Sequence, residues 1–263
     1  MTKKVEVSII LPTYNEADNI GELVSRIKVS CREISFEILI VDDNSPDGTS
    51  TISEKLAVDY NFIRVINRSN LRGLTSAIQT GIDLSEGDIV VWMDADMSMP
   101  PELIPELIQS IENGYDIAVG SRFVKGGGFE VARKNGEQMS VLHIFHIYQN
   151  VKKTNDSFVL QMLSFLLNYF IWVMLDKSFK DYTSGFIAIK KSILKDIRLS
   201  GDYGEYFIVL IYMCIKMRYK IIEVPYISMP RVAGESKTGS NLFDYLRRGY
   251  KYVVTTIRLR LFS

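Results

Sequence analysis

Cysteine and histidine are nearly absent from this chain, with two of each in 263 residues, and neither sign of charge prevails: 31 Lys+Arg stand against 31 Asp+Glu. Each scarcity excludes something. Cys31 and Cys214 lie in apolar-patterned segments with no motif around them, so they read as buried free thiols in a reducing compartment and not as a disulfide. His143 and His146 share an apolar patch, where a packing role is expected in preference to a metal site. Balanced charge leaves no overall electrostatic footprint for nucleic acid. Neither an internal repeat nor a low-complexity linker divides the chain. No secretory leader is expected, because Met1-Thr2-Lys3-Lys4 is followed at once by a strand pattern.

Apolar residues, by contrast, make up 47% of the chain, enough for a sizeable core. They are organised around Ile89-Val90-Val91-Trp92-Met93-Asp94-Ala95-Asp96-Met97-Ser98. Five apolar residues, bounded by Gly87-Asp88 and Pro100-Pro101, read as a buried strand of a parallel sheet. Residues i and i+2 of an extended backbone point the same way. Asp94 and Asp96 therefore project together from the carboxyl end of that strand, where open α/β sheets bind ligands. Two hard oxygen ligands at one point suit Mg²⁺ or Mn²⁺, with water and phosphate oxygens completing the shell. The same residues also fit a solvated strand-to-helix turn with Ser98 as its N-cap.

Around this stretch, strands are expected over 5–11 (closed by Pro12), 36–41, 62–66 and 116–120, and helices over 19–30, 49–60, 74–84 and 101–112. Strands alternating with helices of about a dozen residues argue βαβ units and a Rossmann-like sheet. The second half breaks that rhythm. Residues 122–155 form a polar, Gly-rich connection of the length that is usually functional or mobile. Residues 157–175 carry no charge, but Gln161, Ser164 and Asn168 make a polar stripe. That stripe favours a packed helix with a substrate-facing edge, or one lying in a membrane interface, over a membrane span. Strands over 184–189 and 221–224 enclose a helix over 206–216, and a last helix starts at Asn241. There Leu242, Leu246, Val253, Ile257 and Leu261 form an apolar face, and Arg247, Lys251 and Arg258 a basic one. Residues 231–263 hold seven Lys or Arg against two acids, which suggests contact with an anionic surface. Residues 1–240 are thus expected as one domain and 241–263 as an amphipathic basic helix.

Three further segments fall at the ligand edge. They are Pro12-Thr13-Tyr14-Asn15-Glu16 after the first strand, Val41-Asp42-Asp43-Asn44-Ser45-Pro46-Asp47-Gly48-Thr49 at the end of the second, and Ser121-Arg122-Phe123-Val124-Lys125-Gly126-Gly127-Gly128 after the fifth. Each alone is an ordinary turn. Together they suit a nucleotide held through base and ribose by the first two, with its diphosphate on the metal. With Asp181-Tyr182-Thr183-Ser184-Gly185-Phe186 and Gly234-Glu235-Ser236-Lys237, these motifs cover nearly the whole chain. In that order they resemble the inverting family 2 glycosyltransferases of GT-A fold, and among them the polyprenol-phosphate (dolichol-phosphate) mannose synthases.

The resemblance implies an α/β GT-A fold, with a Rossmann-like nucleotide-binding half and an acceptor half around one mixed sheet. It implies that Pro12, Tyr14, Glu16, Val41 and Asp43 hold the nucleoside, with Asp94 and Ala95 also on the sugar-nucleotide side. Asp94 and Asp96 would handle the metal and diphosphate. Arg122, Arg231 and Lys237 would gather the phosphates of sugar donor and lipid acceptor, forming with Asp96 the catalytic set. Ser164 and Arg133 would meet the acceptor. The implied reaction moves a hexose, mannose from GDP-mannose, onto a polyprenyl phosphate. It would be run with Mg²⁺ or Mn²⁺ by a peripheral protein on the cytosolic face of a membrane, with a membrane-spanning partner subunit as an option. UDP-glucose as donor, or a saccharide hydroxyl as acceptor, stays open. Relatives carry a Gln where Ser98 stands, an Arg where Leu160 stands and a Lys where Tyr206 stands. The lack of a Gln-x-x-Arg-Trp motif argues against a processive polysaccharide synthase. The lack of a Gly-rich phosphate loop directly after the first strand argues against a nucleotidyltransferase, and the intact Asp-x-Asp against a non-catalytic partner subunit.

Overall fold

The computed structural model describes residues 4–129, 156–229 and 242–262. Its first half alternates as expected: β1 (Val7–Thr13), α1 (Ile20–Ser30), β2 (Phe36–Asp42), α2 (Thr49–Asp59), β3 (Ile63–Asn67), α3 (Leu74–Leu84), β4 (Ile89–Trp92), α4 (Ile104–Glu112) and β5 (Ile117–Ser121). The second half adds β6 (Gly128–Phe129), α5 (Asp156–Met174), β7 (Ile187–Lys190), α6 (Glu205–Lys216), β8 (Ile221–Pro225), β9 (Ile227–Ser228) and α7 (Leu242–Phe262). Seven strands make one sheet in the order β3-β2-β1-β4-β7-β5-β8. Only β7 runs against the rest, pairing antiparallel with both β4 and β5. The one mixed sheet implied by the resemblance is therefore present. The carboxyl ends of β1, β2, β4, β5 and β8 share one edge, and the loop entering β7 arrives at that edge too.

Three local expectations shift. First, β1 does not close at Pro12 but runs through it to Thr13. Proline cannot donate to a ladder, but β4 pairs with β1 only as far as Ile10, so beyond that point β1 has only β2 beside it. Second, the helix expected over 101–112 begins as a 3₁₀ turn, Pro101–Leu103, before α4 takes over. Third, the strand expected over 184–189 starts only at Ile187. Gly185 adopts φ +74, and Ser184 uses its hydroxyl to cap the Gly120 carbonyl of β5 at 2.5 Å.

The period-two pattern of the strands divides the core into two. Val7, Ile9, Leu11, Ile38, Ile40, Val91 and Met93 face α1 and α4, whose Leu23, Ile27, Ile104, Leu107 and Ile111 recur at helical spacing. Ile10, Leu39, Val41, Val90 and Trp92 face the other way, onto Ile78 and Ile82 of α3, Phe207 and Ile211 of α6, and Ile171 of α5. Each fully buried Leu, Ile or Val contributes about 1.5–3 kcal/mol. Cys31 and Cys214 are free and buried, and burial pushes both thiols up to about 12.

The last helix packs against the domain through residues other than the apolar face its sequence shows. Thr256 is wholly buried, and Tyr252 and Leu259 lie against the second core. A Cβ at Gly204, just before α6, would lie 1.9 Å from the Tyr252 hydroxyl, so the close fit of α7 there needs glycine. Ile257 and Leu261, of the apolar face, point outward, with Phe262 85% exposed beside them. On α5, Asn168 of the polar stripe is buried, while Leu166, Tyr169 and Val173 form an exposed apolar stripe. Among the described residues, no helix is long and apolar enough to cross a membrane.

Candidate active site

Strand order sets the site. β1 leads to β2 on one side, while β4 joins β1 on the other, which puts a crevice between the β1 and β4 ends. The backbone is under tension there. Among the described residues four non-glycines have positive φ, and three of them, Asn15, Asn44 and Met97, follow β1, β2 and β4 at this edge. Asparagine accepts that conformation readily, but methionine does not, and such a residue costs on the order of 1–3 kcal/mol. The turn at Met97 has a use. It lets the Ser98 N–H donate back to Asp96 Oδ1 at 3.0 Å, while the Ser98 carbonyl accepts the Met229 N–H at 2.9 Å.

The first two loops are laced together. Asp42, fully buried, accepts from Thr13 Oγ1 at 2.9 Å and from the Ser45 N–H at 2.8 Å. Ser45 Oγ in turn accepts the Asn15 N–H at 3.0 Å. Asp47 accepts the Ala17 N–H at 3.0 Å and the Thr49 N–H at 3.0 Å, and Thr49 Oγ1 accepts the Glu16 N–H at 2.9 Å. The expected nucleoside residues sort themselves by exposure. Tyr14 and Pro12 are half-buried, whereas Glu16 is buried, with Oε2 accepting from Asn19 at 2.8 Å. The Val41 side chain belongs to the core, which leaves only its main chain at the edge. Asp43 is gripped by Arg68, whose Nε donates to Oδ1 at 2.7 Å, and by the Gly73 N–H, which donates to Oδ2 at 2.8 Å. Arg72, exposed, lies 5.5 Å from the centre of the Tyr14 ring, within cation–π range. Neither arginine was singled out from sequence. The signal available was position: Arg68-Ser69-Asn70-Leu71-Arg72-Gly73 follows the third strand at the same sheet edge.

On the other side of the crevice Asp94 is half-buried and Asp96 and Ala95 are buried. Arg122 stands opposite. Its Nε and main-chain N–H each donate to Asp181 Oδ2 at 2.9 Å, and Nη2 donates to Asp181 Oδ1 at 2.8 Å and to Thr183 Oγ1 at 2.9 Å. Burial opposes the Arg122 charge, but Asp181, Tyr226 and Asp94 outweigh it and hold the guanidinium firmly protonated. Asp94 also helps burial push the Tyr206 hydroxyl upward, and that hydroxyl accepts the Trp92 indole N–H at 2.9 Å. Tyr206 is thus a buried neighbour of Trp92, within electrostatic reach of Asp94. A Cβ at Gly127 would lie 2.5 Å from the Ser121 carbonyl, so the Gly-rich loop can fold back on β5 only with glycine there. Asp181 was seen in a motif but without a role, and Glu223, which holds the loop around it, was not seen at all.

The expected acceptor residues are less completely placed. Ser164 is half-buried on α5. Arg133, Arg231 and Lys237 lie outside the described residues, as do His143 and His146. Among the described residues no group of three or more His, Cys, Asp or Glu could hold a metal. The strand expected to carry Asp94 and Asp96 ends at Trp92, so the two sit on the turn beyond it and not on extended strand backbone. Two hard oxygen donors on one turn are the chemistry that Mg²⁺ and Mn²⁺ take, with water and phosphate supplying the remainder.

The family model for glycosyl transferase family 2 matches residues 8–198, a stretch that contains the Asp pair, Arg122 and Asp181. The chain belongs to that family. Among curated family 2 relatives, a dolichol-phosphate mannosyltransferase of Pyrococcus furiosus is 38% identical over 251 residues, covering 94% of this chain and 63% of that protein. The chain therefore spans somewhat under two thirds of that relative's length. A polyprenol monophosphomannose synthase of Mycolicibacterium smegmatis is 32% identical over 261 residues, covering 96% of this chain and 88% of the relative. Among solved structures, glucosyl-3-phosphoglycerate synthase of Mycobacterium tuberculosis, in complex with Mn²⁺, uridine diphosphate and phosphoglyceric acid, superposes with a TM-score of 0.68 at 16% identity, over 98% of this chain and 80% of that one. Mannosyl-3-phosphoglycerate synthase of Rubrobacter xylanophilus gives 0.63 at 16% identity, over 97% and 73%. These structural likenesses bear on the fold, which is GT-A as the resemblance implied.

Proposed function

We propose that this family 2 chain transfers a hexose, mannose from GDP-mannose in the first instance, with inversion onto a polyprenyl phosphate, using Mg²⁺ or Mn²⁺ held by Asp94 and Asp96. The observation that carries the reading is that the forked Arg122, held by Asp181, lies within electrostatic reach of Asp94 on the edge that also gathers the Tyr14 and Asp43 loops. The printed activities of the two relatives, at 38% and 32% identity, support the lipid-phosphate acceptor and the mannosyl donor. When bound, the cation neutralises charge on the nucleoside-diphosphate leaving group.

The chain's own residues do the rest. Tyr14, with Arg72 beside it, offers a face for the base. Asp43 is fixed in orientation, and a carboxylate has about four lone-pair sites, so it can still accept from a nucleoside. Ser98 and Met97 hold Asp96 ready. An acceptor phosphomonoester, with a second pKa near 6, is already an anion at neutral pH. It needs positive charge in the right place more than a general base. Arg122 supplies one such charge. Arg231 and Lys237 are proposed to add to it, since Met229, two residues before Arg231, is bonded to the Ser98 carbonyl of the Asp-pair turn.

A lipid acceptor requires a surface. The exposed Leu166, Tyr169 and Val173 on α5, and Ile257, Leu261 and Phe262 on α7 with exposed Arg258 and Arg260, are of the composition that lies in a membrane interface. The reading is of a peripheral protein on the cytosolic face, with or without a membrane-spanning partner. The test offers labelled GDP-mannose and labelled UDP-glucose in parallel, with a short polyprenyl phosphate and Mn²⁺, and counts label in the lipid extract. Label from GDP-mannose is expected. Label from UDP-glucose alone would reassign the sugar donor, and label from neither would overturn the reading.

A further inference from the structure

We infer that Glu223 is a positioning residue for this transfer: it locks the 180–184 loop so that Asp181 aims Arg122 at the diphosphate site. The inference rests on the function proposed above. Glu223 stands on β8, in the run Ile221-Ile222-Glu223-Val224-Pro225, where nothing local marks it as chemical. Its Oε1 accepts from Ser121 Oγ at 2.7 Å and from the Asp181 N–H at 3.0 Å, and its Oε2 accepts the Lys180 N–H at 2.9 Å. One carboxylate thus ties the last residue of β5 to the loop that leads into β7. From the other side Asn168 holds the same loop, donating to the Lys180 carbonyl at 2.6 Å and accepting the Tyr182 N–H at 2.9 Å.

The two acids divide the work. Asp181, wholly buried, takes the guanidinium edge and main-chain N–H of Arg122, while Glu223 bonds to none of the arginine's atoms and instead holds the backbone that carries Asp181. An arginine fork is planar and rigid, so two fixed bonds along one edge set the direction of the whole group. A cation placed before the substrate arrives needs no reorganisation when charge develops on the leaving group. A shift of about 1 Å in such a group can cost on the order of a hundredfold in rate. Burial pushes the Glu223 carboxyl upward, and the Ser121 hydroxyl and the two N–H groups only partly counter this. A group held at that disadvantage for stability is consistent with a role in geometry.

The test is a double-mutant cycle on the full chain: wild type, Glu223→Gln, Arg122→Lys and the pair. Lysine has no fork to hold, so Glu223 has nothing left to aim in the Arg122→Lys background. Alone, Glu223→Gln is expected to lower kcat by about ten- to a hundredfold, a larger factor than any loss of GDP affinity, and to have almost no further effect on Arg122→Lys. Equal losses in both backgrounds, or no loss in either, would overturn the inference. If Glu223→Gln does not fold, Ser121→Ala removes one bond from the same carboxylate, and a smaller loss with the same dependence on Arg122 is expected. If wild type moves no sugar, the proposed function fails by itself. Positioning is then read by NMR from hydrogen exchange at Nε of Arg122, assigned by its disappearance in Arg122→Lys. Faster exchange in Glu223→Gln supports the inference, and unchanged exchange overturns it.

Discussion

Arg68 and Asp43 form a buried ion pair across 25 residues of chain, with Arg68 Nε 2.7 Å from Asp43 Oδ1 and Arg68 Nη2 bonded to the same oxygen. Arg68 also reaches Ser76 Oγ at 3.0 Å and the Gly73 carbonyl at 3.2 Å. The pair therefore fixes the loop after β3 against the loop after β2, at the edge where a nucleoside is proposed to bind. Removing one partner of a buried pair leaves the other charge uncompensated, at a cost of about 3–5 kcal/mol. Asp43→Asn is expected to lose stability on that scale in urea unfolding, and GDP affinity with it. An unchanged unfolding midpoint would contradict the account of this loop.

At the Asp pair, shape and charge can be separated. Asp96→Asn keeps the size of the side chain and an oxygen for the Ser98 N–H, but removes the negative charge. Transfer at saturating Mn²⁺ is expected to fall by on the order of 10²–10³, with the thermal midpoint little changed. Near-normal turnover would remove Asp96 from the metal site.

Much of the fold was legible in the sequence, and the limits have physical causes. The apolar run into Asp94 and Asp96 stands out because a strand buried on both faces needs no polar alternation, and the βαβ rhythm follows from segment lengths. The insertion of β7 between β4 and β5 was not legible, since antiparallel pairing across the sheet leaves no local mark on Ile187–Lys190. The partners of the site residues were hidden for the same reason. Arg122 meets Asp181 59 residues away, and Ser121 meets Glu223 102 residues away. On α7 the amphipathic pattern was legible, but the inward packing of Tyr252 and Thr256 was not, because it works through close fit and not through hydropathy.

Asp47 gives a pH-dependent test of the laced loops. Burial alone would raise its carboxyl, but the Thr49 hydroxyl and the Ala17 and Thr49 N–H groups outweigh that and hold it below the ordinary 3.8. A depressed acid contributes stability that is complete above its unfolded value and is lost as pH falls through the folded one. The deficit of Asp47→Asn relative to wild type is therefore expected to be constant near neutrality and to close as pH drops below about 3.8. A deficit that did not change with pH, followed by thermal unfolding, would assign the contribution to shape and not to charge.

The exposed end of α7 makes the membrane contact testable without disturbing the core. Leu261 and Phe262 are 68% and 85% exposed, so charged replacements there remove no packing. Leu261→Glu with Phe262→Glu is expected to reduce sedimentation with anionic liposomes at low salt and to leave the thermal midpoint in place. Wild type is expected to be released by high salt, because screening shortens the reach of Arg258 and Arg260. Undiminished binding of the double variant would move the contact to Leu166, Tyr169 and Val173 on α5.

The central claim is that the acceptor attacks as a phosphate, and ³¹P NMR of one reaction mixture addresses it directly. With GDP-mannose, a short polyprenyl phosphate and Mn²⁺, the account predicts that the phosphomonoester signal is replaced by a phosphodiester signal while GDP appears in equal amount. Release of GDP with free sugar and an unchanged phosphomonoester would contradict it.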